Sequence, residues 1–256
     1  MLEVRNMTVR FGGFKAVDDL DLDVDAGKLT ALIGPNGAGK TTFFNAVSGL
    51  IRPNEGCVRL NGHDITGARP YQITAAGMLR SFQIARGFPR LTVFEHLMLY
   101  DQHNPGENIV TALFGGWRKR EGETAERALG VARRLEIDHV LDNRVTEISG
   151  GQKKLLEIGR GLMAEPDLLL LDEPVAGVNP TLAEQIGDRL RDLVAGGLTI
   201  LLIEHDMALV GRIADHVIVM AEGKQLATGR FEEVRNDTNV QNAYLGGGGI
   251  DHAVGQ

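Results

Sequence analysis

One cysteine, Cys57, is all the chain contains, so no disulfide can close within it and a reducing compartment suits it. No apolar run approaches the roughly 18 residues of a membrane-spanning helix, since LTILLI and HVIVMA are strand-sized. Any link to a membrane is therefore expected to pass through another chain. The opening MLEVRNMTVRF has no basic segment followed by an apolar stretch, and no secretion signal is expected there. A formal net charge of −7 over 256 residues weighs against nucleic acid as a general partner, leaving room only for a local basic patch. Internal repeats, sustained heptads, paired cysteines of the zinc-binding kind and an N-K-x-D guanine-reading motif are also missing.

What is present suffices for a full core, with 43% hydrophobic residues. LEVRNMTVRF and LDLDV alternate as β structure before the Ala26-Gly27 turn. LTALIG reads as a short buried strand, KTTFFNAVSGL as a helix, and CVRLNG as a strand with a turn at Asn61-Gly62. From Tyr71 to Leu135 helical patterns dominate, around a polar, glycine-rich insert at 101–122 that resists assignment. DLLLLDE, LTILLIEH and DHVIVMAEG are then apolar runs separated by helical patterns. That alternation predicts an α/β fold with a parallel sheet covered on both faces by helices. KQLATG adds a last strand. The expected organisation is one domain over 1–245, with a helical subdomain at about 87–149 and a mobile tail at 246–256.

GPNGAGKTT at 34–42 fits the pattern G-x-x-x-x-G-K-[ST], between an apolar strand and a helix. Small residues let successive backbone N–H groups of Gly34, Pro35, Asn36, Gly37, Ala38 and Gly39 (proline excepted) wrap phosphate oxygens. The following helix presents its positive end. Lys40 is expected to reach the outer phosphates and Thr41 to ligate Mg²⁺, with Thr42 beside them. LLLLDEP places Asp172 and Glu173 at the tip of a buried strand, where an aspartate holds Mg²⁺ and a glutamate can take a proton from water. Two acids opening a solvated loop would look the same in isolation. A small-molecule kinase would satisfy both features, but gives no reason for ISGGQ.

Behind Gly151, Leu155, Ile158, Gly159 and Leu162 recur at helical spacing, with Lys153, Lys154, Glu157 and Arg160 mostly on other faces. Ser149, Gly150, Gly151 and Gln152 therefore sit at a helix N-terminus, a second anion site. A capping role explains the serine. Two glycines, each costing about 1 kcal/mol in a helix relative to Ala, suit close approach of an external group. One chain with a phosphate loop and a separate phosphate-reading helix suggests head-to-tail pairing.

With these motifs in order, the chain resembles the ATP-binding-cassette (ABC) ATPases over nearly its whole length. ISGGQ is similar to their LSGGQ signature, with Ile148 for leucine. The resemblance implies a P-loop fold with a parallel core sheet, an N-terminal antiparallel β subdomain and an inserted helical subdomain. It also implies two such domains sandwiching two ATP molecules. In LRSFQ, Gln83 matches the loop glutamine that contacts Mg²⁺ and the attacking water. His205, ending LTILLIEH, matches the switch histidine, and Phe11 the aromatic that stacks on adenine, with Phe14 as a rival. Asn179 in AGVNP replaces the usual aspartate of the D-loop.

EPVAGVNP, IEHDM, the glycine-rich insert and AYLG resemble the importer ATPases for branched-chain and related amino acids. That likeness implies a peripheral subunit at the cytoplasmic face of the membrane. Its partners would be a second cassette subunit (a heterodimer favoured over a homodimer), membrane permeases and, indirectly, a solute-binding protein. The alternative is a soluble cassette ATPase acting on DNA or ribosomes. Residues 83–100 are the candidate docking region for the permease, with Phe114 and Trp117 either adding contacts there or packing within the subdomain.

Overall fold

The computed structural model describes residues 1–81, 88–101 and 117–245, without the side chains of 117–120 and 245. Among them, a six-stranded sheet has the order β10-β9-β3-β8-β7-β6, and a four-stranded sheet the order β2-β1-β4-β5. The small sheet comprises β1 (Leu2–Phe11), β2 (Phe14–Val24), β4 (Glu55–Leu60) and β5 (His63–Asp64), all antiparallel. Asn61 and Gly62, both with positive φ, form its last turn, as their residue types favour.

In the large sheet β3 (Leu29–Ile33), β6 (Met78–Arg80), β7 (Leu168–Asp172), β8 (Thr199–Ile203) and β9 (His216–Ala221) are parallel. One detail departs from the sequence reading, and the last strand, KQLATG, is found where expected. Met78–Arg80, within a stretch read as helical, is a strand, held because Met78, Leu79 and Arg80 pair with Leu168, Leu169 and Leu170. The edge strand β10 (Lys224–Gly229) runs antiparallel to β9, because Glu222 and Gly223 both take positive φ and turn the chain back in two residues.

Strand periodicity divides the core. Leu168, Leu170, Leu201 and Ile203 face the small sheet, with Phe43 and Phe44 of α1 (Lys40–Val47) buried in the same cluster. Leu169, Leu171, Ile200 and Leu202 face the other way. There they meet α3 (Val93–Leu99), α4 (Trp117–Arg134), α5 (Gly150–Leu162), α6 (Pro180–Ala195) and α7 (Met207–Ile213). A third cluster joins Val217 and Val219 to α8 (Phe231–Arg235) and α9 (Thr238–Leu245). The short α2 (Pro70–Ala75) precedes β6. Burial of Leu155, Leu156, Ile158 and Leu162 anchors α5, each side chain contributing about 1.5–3 kcal/mol relative to exposure. From Trp117 onward the glycine-rich insert is helix, while 102–116 and the tail at 246–256 lie outside the described residues.

Arg160 departs from the expectation of an outward charge on α5: it is buried. Its guanidinium lies 5.4 Å from the Tyr100 ring centroid, and Nη2 donates to His96 Nδ1 at 3.0 Å. A guanidinium can only donate, so Nδ1 must accept and the proton resides on Nε2, which donates to Phe88 O at 3.0 Å. Burial pushes the His96 pKa down from the ordinary 6.5; the Phe88 carbonyl opposes this and the Arg160 charge adds to it. The unfolded chain therefore takes up a proton before the native one does. Stability contributed by neutral His96 is present above about pH 6.5 and is lost as pH falls towards the lower native value. The urea midpoint should drop between about pH 8 and about pH 5, and drop less in His96→Gln. Equal slopes in the two proteins would refute this.

Candidate functional site

Parallel pairing brings the sequence motifs to one edge. Leu32 and Asp172 both pair with Ile203, so the loops after β3, β7 and β8 leave the sheet together at its C-terminal side. Ligands of open α/β sheets bind on that side.

The loop after β3 holds Gly34, Gly37 and Gly39 at positive φ. A Cβ on Gly34 would strike the Met220 carbonyl oxygen, and one on Gly39 the Ala16 carbonyl oxygen. These two glycines thus serve close backbone packing against β9 and β2. Ala38 is fastened from both sides: its N–H donates to Pro35 O at 3.2 Å, and its carbonyl accepts from Gly223 N at 3.0 Å. Asn36, Gly37 and Thr41 are exposed, and Pro35, Gly39 and Thr42 half-buried. Lys40 is buried, with Nζ donating to Gly34 O at 2.6 Å and Pro35 O at 3.0 Å. Burial lowers its pKa, while the Glu173 and Asp172 carboxylates act to raise it. The ammonium therefore stands in the field of both acids.

Asp172 Oδ2 accepts from Arg80 Nη2 at 2.8 Å. Arg80 also donates from Nη1 to Asn45 Oδ1 at 2.6 Å and lies 5.5 Å from the Phe44 ring centroid. This arginine links the acidic strand tip to α1 and was not singled out from sequence. Its only signal there is a cation inside LRSFQ. Glu173 takes φ +50, a conformation uncommon for a residue with Cβ. Its N–H donates to Ile203 O at 2.9 Å, and its carbonyl accepts from Ala176 N at 3.1 Å. His205 Nε2 lies 2.9 Å from Glu173 Oε1, with both side chains partly exposed. The base candidate and the histidine, 32 positions apart in sequence, are direct neighbours.

At the signature, Ser149 Oγ accepts from Gln152 N at 3.2 Å and Gln152 Oε1 accepts from Ser149 N at 2.8 Å. Gln152 Nε2 also lies 3.2 Å from His139 Nε2. The two glycines differ. A Cβ on Gly151 would collide with the Leu182 side chain of α6, so internal packing accounts for it, whereas a Cβ on Gly150 would meet open space. Only Gly150 leaves its approach side clear. Among the described residues no hydrogen bond or ion pair joins 149–152 to the loop at 34–42.

Phe11 and Phe14 face each other across the tip of the β1–β2 hairpin, 52% and 66% exposed, so neither is a core aromatic. Asn179 caps α6, its side-chain oxygen accepting from Leu182 N at 2.9 Å. Gln83, Phe114 and the Trp117 side chain lie outside the described residues. Among those described, no helix is long and apolar enough to cross a membrane.

The ABC transporter family model matches residues 17–176. Over 246 residues the chain is 40% identical to the probable branched-chain amino acid transport ATP-binding protein LivG of Archaeoglobus fulgidus, covering 96% of this chain and 95% of that one. It is 38% identical over 253 residues to the high-affinity branched-chain amino acid transport ATP-binding protein BraF of Pseudomonas aeruginosa, covering 96% and 98%. A crystal structure of the ADP conformation of an ATP-binding cassette of an ABC transporter superimposes with a TM-score of 0.85 at 38% identity, covering 96% of this chain and 98% of that one. A nucleotide-free cassette gives 0.83, also at 38% identity, covering 95% and 98%. With its phosphate loop, acidic strand tip and signature helix on that shared framework, the chain belongs to the ABC transporter family of ATP-binding cassette ATPases.

Proposed function

We propose that this ATPase is the energy-coupling subunit of an importer for branched-chain or related amino acids. It would work at the cytoplasmic face of the membrane with a second cassette subunit, preferably a different one, and with permease subunits fed by a solute-binding protein. The observation that carries the catalytic part is the 2.9 Å contact of His205 Nε2 with Glu173 Oε1 beside the buried Lys40. The names of the LivG and BraF relatives support the cargo class.

In this reading Phe11 or Phe14 stacks on adenine, and the backbone N–H groups of the 34–42 loop hold the phosphates with Lys40. Asp172 and Thr41 supply oxygen donors of the kind a hard divalent cation takes, and their place beside the phosphate loop fits Mg²⁺. Bound there, Mg²⁺ would neutralise charge on the phosphate oxygens; the family resemblance adds Gln83 as a further contact. Glu173 Oε1 takes a proton from the attacking water, and His205 orients that carboxylate and faces the γ-phosphate. The open side at Gly150, with Ser149, Gly151 and Gln152, covers the nucleotide held by the partner. Closure excludes bulk water and completes the site.

Docking of the permease is placed at 83–100 by position, and Tyr100 of that stretch also lines a cleft of about 130 Å³ together with Pro70, Ile73, Ser81 and Arg160. Tyr71 stands exposed on α2, whose Pro70 and Ile73 line that cleft, and Leu99 stands exposed at the end of α3 next to Tyr100. The proposed partner element is a short amphipathic helix lying over this face. The test of the pairing is direct. MgATP-loaded Glu173→Gln should sediment as a dimer, alone or with a cognate cassette subunit, and revert to monomer when ATP is removed. Failure to pair with either would overturn the two-chain site.

A further inference from the structure

The catalytic pair sits on two different loops, one after β7 and one after β8, and both loops end on the same buried carboxylate. Glu204 is 3% exposed. Its Oε1 accepts from Val175 N at 3.1 Å, two residues beyond Glu173. Its Oε2 accepts from His205 N at 3.0 Å, and the Asp206 N–H also faces it. Burial drives the carboxyl pKa upward, whereas the three N–H groups favour the charged form. A carboxylate here, with two oxygens that only accept, satisfies donors from both loops at once; a hydroxyl or amide oxygen is a single acceptor centre.

The consequence lies in what those N–H groups belong to. Glu173 holds an uncommon positive φ, and its turn is fixed by Ile203 O, by the Ala176 N–H and, through Val175, by Glu204. His205 is fixed at its own backbone by the other oxygen of the same side chain. We infer that Glu204 is a positioning residue for hydrolysis, a carboxylate clamp that ties the Glu173 turn to the His205 loop and so sets the contact between Glu173 and His205. This rests on the reading of Glu173 as the base. Val175 also opens the segment that runs to Asn179, so the clamp connects that segment to the histidine as well.

Glu204→Gln tests this, because it keeps the shape, removes a charge from a buried place and turns one of the two acceptors into a donor facing an N–H. Its melting temperature should fall by no more than a few degrees, because removing a buried charge offsets part of the cost of the donor–donor contact. At saturating MgATP its kcat should fall by about tenfold to 100-fold, the scale set by a small misplacement of reacting groups, with KM for ATP changed by less than about twofold. In a Glu173→Gln background the same substitution should change residual single-turnover hydrolysis by less than about twofold, since the group it positions is gone. An unchanged kcat in Glu204→Gln, a raised KM with kcat preserved, or an equal fold-loss in both backgrounds would overturn the clamp. If Glu173→Gln alone kept full turnover, the base assignment would fall and this inference with it. An inactive Glu173→Gln beside a fully active Glu204→Gln would remove only the clamp.

Discussion

Glu173→Gln is expected to slow ATP hydrolysis by at least about 100-fold while ATP binding stays within a few-fold of the parent chain, since a positioned general base typically contributes 10²–10⁴-fold. The amide keeps the size of the side chain and an oxygen within reach of His205 Nε2, so the local fold should persist. What it loses is the capacity to hold a proton. Lys40, Asp172 and the phosphate loop are untouched, which is why affinity and turnover should separate. Single-turnover phosphate release, with binding followed by a fluorescent ATP analogue, measures both quantities. Turnover within about threefold of the parent would refute the base.

Lys40→Ala should act in the opposite way, raising the ATP dissociation constant by about 100-fold, or close to 3 kcal/mol, as expected for loss of a charge-assisted contact to phosphate. The ammonium is already gathered into the loop by Gly34 O and Pro35 O, which in the proposed site would preset it for the outer phosphates. Burying that charge is costly, and the nearby Asp172 and Glu173 offset part of the cost. Truncation alone also removes the packed stem. Lys40→Met keeps most of that volume without the charge, and should match Lys40→Ala in calorimetric titration if charge is the cause. An unchanged affinity in Lys40→Met would assign the effect to packing instead.

Local chemistry made much of this protein readable before its coordinates. The turn at Asn61-Gly62, the glycine loop after LTALI and the cap at Ser149 follow from residues a few positions apart, so their physics lies within a short window. The resemblance of ISGGQ, LLLLDEP and IEH to cassette motifs suggests roles that the residues alone do not assign. Arg160 shows the limit. Its helical phase placed it among the charged residues of α5, yet His96 and Tyr100, from α3 and the position after it, create a buried place for it. Gly151 shows another, because the reason for its missing side chain is Leu182, on a different helix.

The sequence by itself determined the motif set, the α/β alternation and the two glycine-bearing helix starts, because these depend on residue type and periodicity along one stretch of chain. Only the tertiary structure decided that Glu173 meets His205, that Arg80 holds Asp172, and that Glu204 serves two loops at once. The physical reason is register. Asp172 and Leu32 align on Ile203 through hydrogen bonds between strands far apart in sequence, and that pairing puts the chemistry of separate loops within one hydrogen bond of each other.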